Sequence, residues 1–282
     1  MPKQSLVPGW IVPMGRTFYG LGLIGIGMQH FIFRAFIPVV VPVWPALLPG
    51  FSLWARVVGA LLIAAGAAML FGFRARQVAA ITGLVFLVLV VVDDVPSVLR
   101  MYPKHLGSWT NAIKALAMCG GAWVVAESYD SGDGLSLWLE SPLPLGRYIF
   151  AGMLIAFGID HFLYSVFVAT LVPRWAGNGM FWTYFAGVAL IAGGVGICVK
   201  PVARLASLSV GLMILLWVPM LHIPRAMADP WGLLGNELTS VFEATAFSGV
   251  AFLLAALSSN VNAHAHDLPH PLAETTKEWG TG

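Results

Sequence analysis

Ile26–Trp44 reads IGMQHFIFRAFIPVVVPVW, and Phe157–Trp175 reads FGIDHFLYSVFVATLVPRW. At a shift of 131 residues, Gly27, His30, Phe31, Phe36, Val41, Pro42 and Trp44 fall on Gly158, His161, Phe162, Phe167, Val172, Pro173 and Trp175. In each copy a histidine stands near the end of a long apolar run, which the chain then leaves through Pro-x-Trp. The repeat extends outward from this pair. Trp54, Gly59, Leu62 and Gly66 match Trp182, Gly187, Leu190 and Gly194 at a shift of 128, and Arg76, Gly83 and Pro96 match Arg204, Gly211 and Pro224 at the same shift. Thr110, Ala115, Gly120 and Ala126 match Thr239, Ala244, Gly249 and Ala255 at a shift of 129. The shift changes only between apolar runs, where insertions are tolerated. A unit of four apolar runs is therefore present twice.

Of the 282 residues, 59% are hydrophobic and 10% charged, with a mean hydropathy of +0.84, whereas a soluble domain carries about 25% charged residues. Apolar runs recur at roughly 17–37, 52–73, 77–99, 108–127, 146–168, 179–199, 203–223 and 238–257. Each approaches the ~20 residues a helix needs to cross a hydrocarbon core, twice what a membrane strand needs. In lipid every backbone polar group must be paired within its own helix or in a closed barrel. These runs predict an all-α integral membrane protein with eight transmembrane helices, arranged as two parallel four-helix repeats. Residues 1–15 form a lead-in, 16–127 the first repeat, 128–145 an acidic linker with Asp130, Asp133 and Glu140, 146–257 the second repeat, and 258–282 a polar tail.

Four helices return the chain to its starting side, so the copies share one orientation about an axis along the membrane normal. No small-residue cleavage pattern follows the first run, which is expected to be retained. Lys and Arg in the tight turns of both copies, Arg74 with Arg76 and Lys200 with Arg204, place both termini in the cytoplasm. Cys119 and Cys198 lie inside apolar runs without a CxxC, which argues against dithiol chemistry. A net charge of +2 on this composition gives no support to nucleic-acid binding. Tail residues His264, His266 and His270 read as a solvated segment, and no metal site is expected.

Ionisable side chains inside a bilayer are costly and face the protein interior or a wet cavity. The first copy holds His30, Asp93, Asp94 and Lys114; the second holds Asp160, His161, His222 and Glu243. His30 lies 14 residues beyond Arg16, about 21 Å along a helix. Asp94 and Lys114 approach the same depth from the third and fourth helices, so the groups converge on the outer part of the membrane. At the repeat shifts Asp94 falls on His222 and Lys114 on Glu243, exchanging charge sign together. That exchange predicts two ion pairs, Asp94–Lys114 and His222–Glu243, which either lock the third helix to the fourth or tune a site.

The paired histidines admit three readings. Each bonds a neighbouring carbonyl and is purely structural; both ligate one haem; or both face a quinone head group, with the neutral ring relaying protons. Asp160 beside His161 suits proton handling, whereas Gln29 holds that place in the first copy. The candidate quinone site is thus His30, Asp160, His161 and His222.

Gly158-Ile159-Asp160-His161-Phe162, Val172-Pro173-Arg174-Trp175 and an Ala- and Gly-rich fourth helix (Ala115 to Ala126, with Lys114) resemble the DoxX-like family of small bacterial membrane proteins. The resemblance covers residues 16–127 and 146–257, as a tandem duplication of the family's four-helix unit. It implies a bacterial inner-membrane protein working as the membrane subunit of a quinone-linked redox complex. Partner redox subunits would supply the electrons, and quinone would be the bound cofactor. The family assigns no catalytic residue here. The alternatives are a non-catalytic anchor or assembly subunit, and a carrier for a small solute or lipid.

Overall fold

The computed structural model describes residues 8–41, 49–101, 104–129 and 134–265, the side chains of 101 and 259–265 excepted. Pro42, Trp44, Asp130, Asp133, His266 and His270 lie outside them, as does the side chain of His264. Helix is the dominant structure, and no strand occurs among the described residues. The first half contains α1 (Ile11–Phe33), α2 (Phe51–Phe71), α3 (Ala75–Leu89), α4 (Val95–Met101) and α5 (Thr110–Glu127). After the short α6 (Leu137–Glu140) come α7 (Leu145–Leu163), α8 (Ser165–Leu171), α9 (Gly179–Cys198), α10 (Ala203–Trp217), α11 (Ile223–Ala228) and α12 (Asn236–Ala265).

Two π-helical turns, Val90–Asp94 and Val218–His222, join α3 to α4 and α10 to α11. Each is followed two residues later by a proline, Pro96 or Pro224. Proline lacks an N–H and its ring crowds the carbonyl four residues back, and a widened turn absorbs both defects without breaking the helix. The last residue of each turn is ionisable, Asp94 or His222.

Among the described residues, seven helical stretches are long and apolar enough to cross a membrane: Ile11–Phe33, Phe51–Phe71, Ala75–Arg100, Leu137–Leu163, Gly179–Cys198, Ala203–Ala228 and Gly232–Ser258. Thr110–Glu127 is shorter, at 18 residues, carries Lys114 and Glu127, and is buried on nearly all sides from Ala115 to Ala126. Outward-facing Leu61, Val92, Val188 and Leu205 are each more than half exposed. A surface so apolar finds its proper solvent in lipid. The chain is a multi-pass helical membrane protein.

The helices close into a ring. α1 packs on α2 and α12, α12 on α10, α10 on α9, α9 on α7, α7 on α5, α5 on α3, and α3 on α2, while α5 touches α12 across the middle. In lipid such contacts rest on close backbone approach. A Cβ on Gly27 would stand 2.7 Å from the Gly59 carbonyl oxygen, and one on Gly59 would stand 2.6 Å from that of Gly27. This tight crossing fixes the end of α1 that carries His30. At the opposite end of the bundle, where α1 starts, the Arg16 guanidinium lies 3.7 Å over the Tyr129 ring and bonds Ser128. Burial raises the Tyr129 phenol above its ordinary value, with Arg16 opposing. The neutral hydroxyl donates to the Met69 carbonyl oxygen at 2.6 Å.

Candidate functional site

The ionisable groups gather at the end of the bundle remote from the start of α1. In the centre, Lys114 Nζ of α5 donates to Glu243 Oε2 of α12 at 2.7 Å, with the carboxylate side chain only 3% exposed. This corrects the expected pairing. Neither Asp94–Lys114 nor His222–Glu243 is formed among the described residues; the ion pair joins the two halves instead. The reason is the ring closure, which sets α5 against α12. Positions that match at a shift of 129 then face each other across the centre, where like charges would repel and opposite signs attract. Asp94 is 2% exposed, and its Oδ2 is buried without a hydrogen-bond partner, as is Glu243 Oε1. His222 lies within electrostatic reach of Lys114, Glu237 and Arg225. Arg225 grips Glu237 through two bonds of 2.8 and 2.5 Å.

The two histidines differ. His30 is buried completely, its Nδ1 lies 2.9 Å from the Ile26 carbonyl oxygen, and the Ile37 N–H donates to its Nε2 at 3.3 Å. A carbonyl only accepts and an amide only donates, so the ring is neutral with its proton on Nδ1. Both nitrogens are committed inside the protein. His30 therefore takes the structural reading, and neither nitrogen is placed to ligate iron or meet a head group.

His161 repeats only half of this arrangement. Its Nδ1 bonds the Phe157 carbonyl oxygen at 2.7 Å, but Nε2 has no partner among the described residues. The residue matching Ile37 is Val168, whose N–H is taken up inside α8 by the Tyr164 carbonyl oxygen at 2.9 Å. The divergence starts from one residue. Pro38 disfavours helix at Ile37, and the segment after Arg34 tucks inward with Phe36, Ile37, Val39 and Val40 buried. Ala169 stands where Pro38 would be, so α8 forms and lies outside, with Val166 and Phe167 exposed.

Asp160 adds to the second site. Its Oδ1 is buried without a partner, and both His161 and His105 lie within reach of its charge. His105 rests against Tyr164 with ring centroids 5.1 Å apart, and the Tyr164 hydroxyl accepts from the Gly107 N–H at 3.1 Å. A shallow groove of about 410 Å³ lined by Leu163, Tyr164, Val166 and Phe167 runs beside them. The corresponding corner of the other half is closed: Gln29 donates to the Gly235 carbonyl oxygen and accepts from Thr239, and Phe33 meets Trp231 edge to face. Each corner thus combines one half's first helix with the other half's loop.

His105 and Tyr164 escape sequence reasoning because a loop residue and a helix end give no periodic signal. Comparing the copies exposes them, since Asp160, Tyr164 and His105 replace Gln29, Phe33 and Leu234 at the repeat shifts. Among the described residues no three His, Cys, Asp or Glu side chains are grouped to hold a metal ion. With its Nδ1 proton fixed on a carbonyl, His161 offers Nε2 as an acceptor, and Asp160 offers a second. The open corner is built to receive hydrogen-bond donors. Compared with protein-family models, curated proteins and solved structures, the chain matches none of them.

Proposed function

We propose that the chain is a tandem DoxX-like protein of the bacterial inner membrane, with eight spans in two parallel four-helix repeats and both termini cytoplasmic. In this reading it is the membrane subunit of a quinone-linked redox complex, and a partner subunit exchanges the electrons. The open corner at Asp160 and His161 holds the quinone head group in its reduced, hydroxyl-bearing form. One observation carries this: two acceptors, Asp160 Oδ1 and His161 Nε2, lack partners at the end of α7 while their first-half counterparts are satisfied. A buried acceptor without a donor costs roughly 1–3 kcal/mol. A lipid-soluble diol supplies two donors at that depth, and the apolar groove beside Tyr164 suits its tail. Asp94, Lys114, His222 and Glu243 set the local charge without touching the head group.

The test is chromatography of lipids extracted from gently solubilised protein, with a visible spectrum. Co-purified quinone that is lost in His161→Gln and Asp160→Asn, and kept in His30→Gln, supports the reading. Phospholipid alone moves the protein to the anchor reading, which the complete satisfaction of His30 already favours for the first half. A Soret band overturns both.

A further inference from the structure

A second cavity lies at the other end of the bundle, where α1 begins, and has no part in the site above. It is a cleft of about 480 Å³ walled by the ends of α3, α5, α7, α9 and α12 and by the segment before α7. Five charged groups line it: Arg76, Arg147, Lys200, Glu127 and Glu140. Arg76 is spoken for by Glu140, at 2.6 Å. Arg147 Nη2 donates to the Ser258 hydroxyl at 3.1 Å, a neutral partner, and Glu127 is near enough to feel its charge without an ion-pair contact. Lys200 is exposed on the turn between α9 and α10 and forms no ion pair among the described residues. Two cations therefore face the cleft against one carboxylate.

We infer that this cleft binds the phosphate of an anionic membrane lipid between Arg147 and Lys200. Its place at the helix ends is the level of the headgroups, where each Lys or Arg favours an anionic lipid. Tyr148 in the wall of the cleft is more than half exposed and offers apolar surface for an acyl chain, which a soluble anion would not use. Glu127 gives selectivity: it repels a second negative charge, so a monoanionic phosphodiester fits better than a phosphomonoester.

The full-length protein in neutral detergent is titrated with phosphatidylglycerol or phosphatidylcholine, and retained lipid is read by native mass spectrometry. Phosphatidylglycerol should be retained at least about fivefold better. Lys200→Gln should lower its affinity about fivefold, and Arg147→Gln with Lys200→Gln about 25-fold. Because Lys200 is exposed, its single variant keeps the test sharp if the double variant fails to fold. Equal retention of the two lipids, or an unchanged affinity in Lys200→Gln, overturns the proposal. Displacement of phosphatidylglycerol by millimolar inorganic phosphate overturns the lipid as occupant and assigns the cleft to a soluble phosphate.

Discussion

His30 and His161 occupy matching positions, and their surroundings give them different tasks. Removing the His30 ring strands the Ile37 N–H in a closed interior and opens a void beside the Gly27–Gly59 crossing. His30→Ala should therefore destabilise the protein by about 2–4 kcal/mol, through the lost hydrogen bonds and the cavity together. His161 is only partly buried and has one internal bond, so His161→Ala should cost no more than about 1–2 kcal/mol. Denaturation in detergent, followed by circular dichroism, measures both. A larger loss for His161→Ala would mean that its ring is as deeply built into the fold as that of His30, and the distinction between a structural and an open corner would fail.

Elements explain why the residues diverge. One turn of chain after each histidine decides its state, and the choice rests on Pro38 against Ala169. Ala169→Pro should unwind α8, because residue 169 would lose its N–H to the Ser165 carbonyl and crowd that group. With the segment no longer helical, the Val168 N–H is free to cap His161 as Ile37 caps His30. Head-group affinity should fall roughly tenfold, the worth of about one hydrogen bond. Amide exchange over 165–171 reports the unwinding and a quinol-binding titration reports the affinity. Unchanged affinity with α8 melted would show that its helical state does not control the corner. This contrast was readable from the sequence, as a proline in one copy and none in the other, but its consequence needed the positions of both segments. The π turns behave alike: Pro96 and Pro224 announce a defect, yet only the packed helices show that it delivers Asp94 and His222 to the centre.

At the scale of the whole molecule, apolar run length and the histidine–proline–tryptophan spacing carry the helical membrane character and the depth at which charges meet. The partner of Lys114 was hidden, because sign exchange between matching positions says that two groups answer each other without saying across which surface. The ring supplies that surface by setting α5 against α12. The same ring makes α5 the decisive helix for topology. At 18 residues it spans about 27 Å, just short of the ~30 Å hydrocarbon core, and its polar Lys114 end is paired inside the bundle rather than turned to lipid. If α5 crosses, the segment around Ser136 lies on the side where α1 begins, and both Lys104 and Asp229 lie opposite. Single cysteines at these exposed positions, in a Cys198→Ser background with Cys119 buried, can be labelled by an impermeant maleimide on intact and on opened cells. Ser136→Cys should react only after opening, with Lys104→Cys and Asp229→Cys reacting from outside. Labelling of Ser136→Cys and Lys104→Cys from the same side would contradict the end-to-end course of α5, whose Lys114 lies among the ionisable groups at one end of the bundle and whose neighbour Ser128 meets Arg16 at the other.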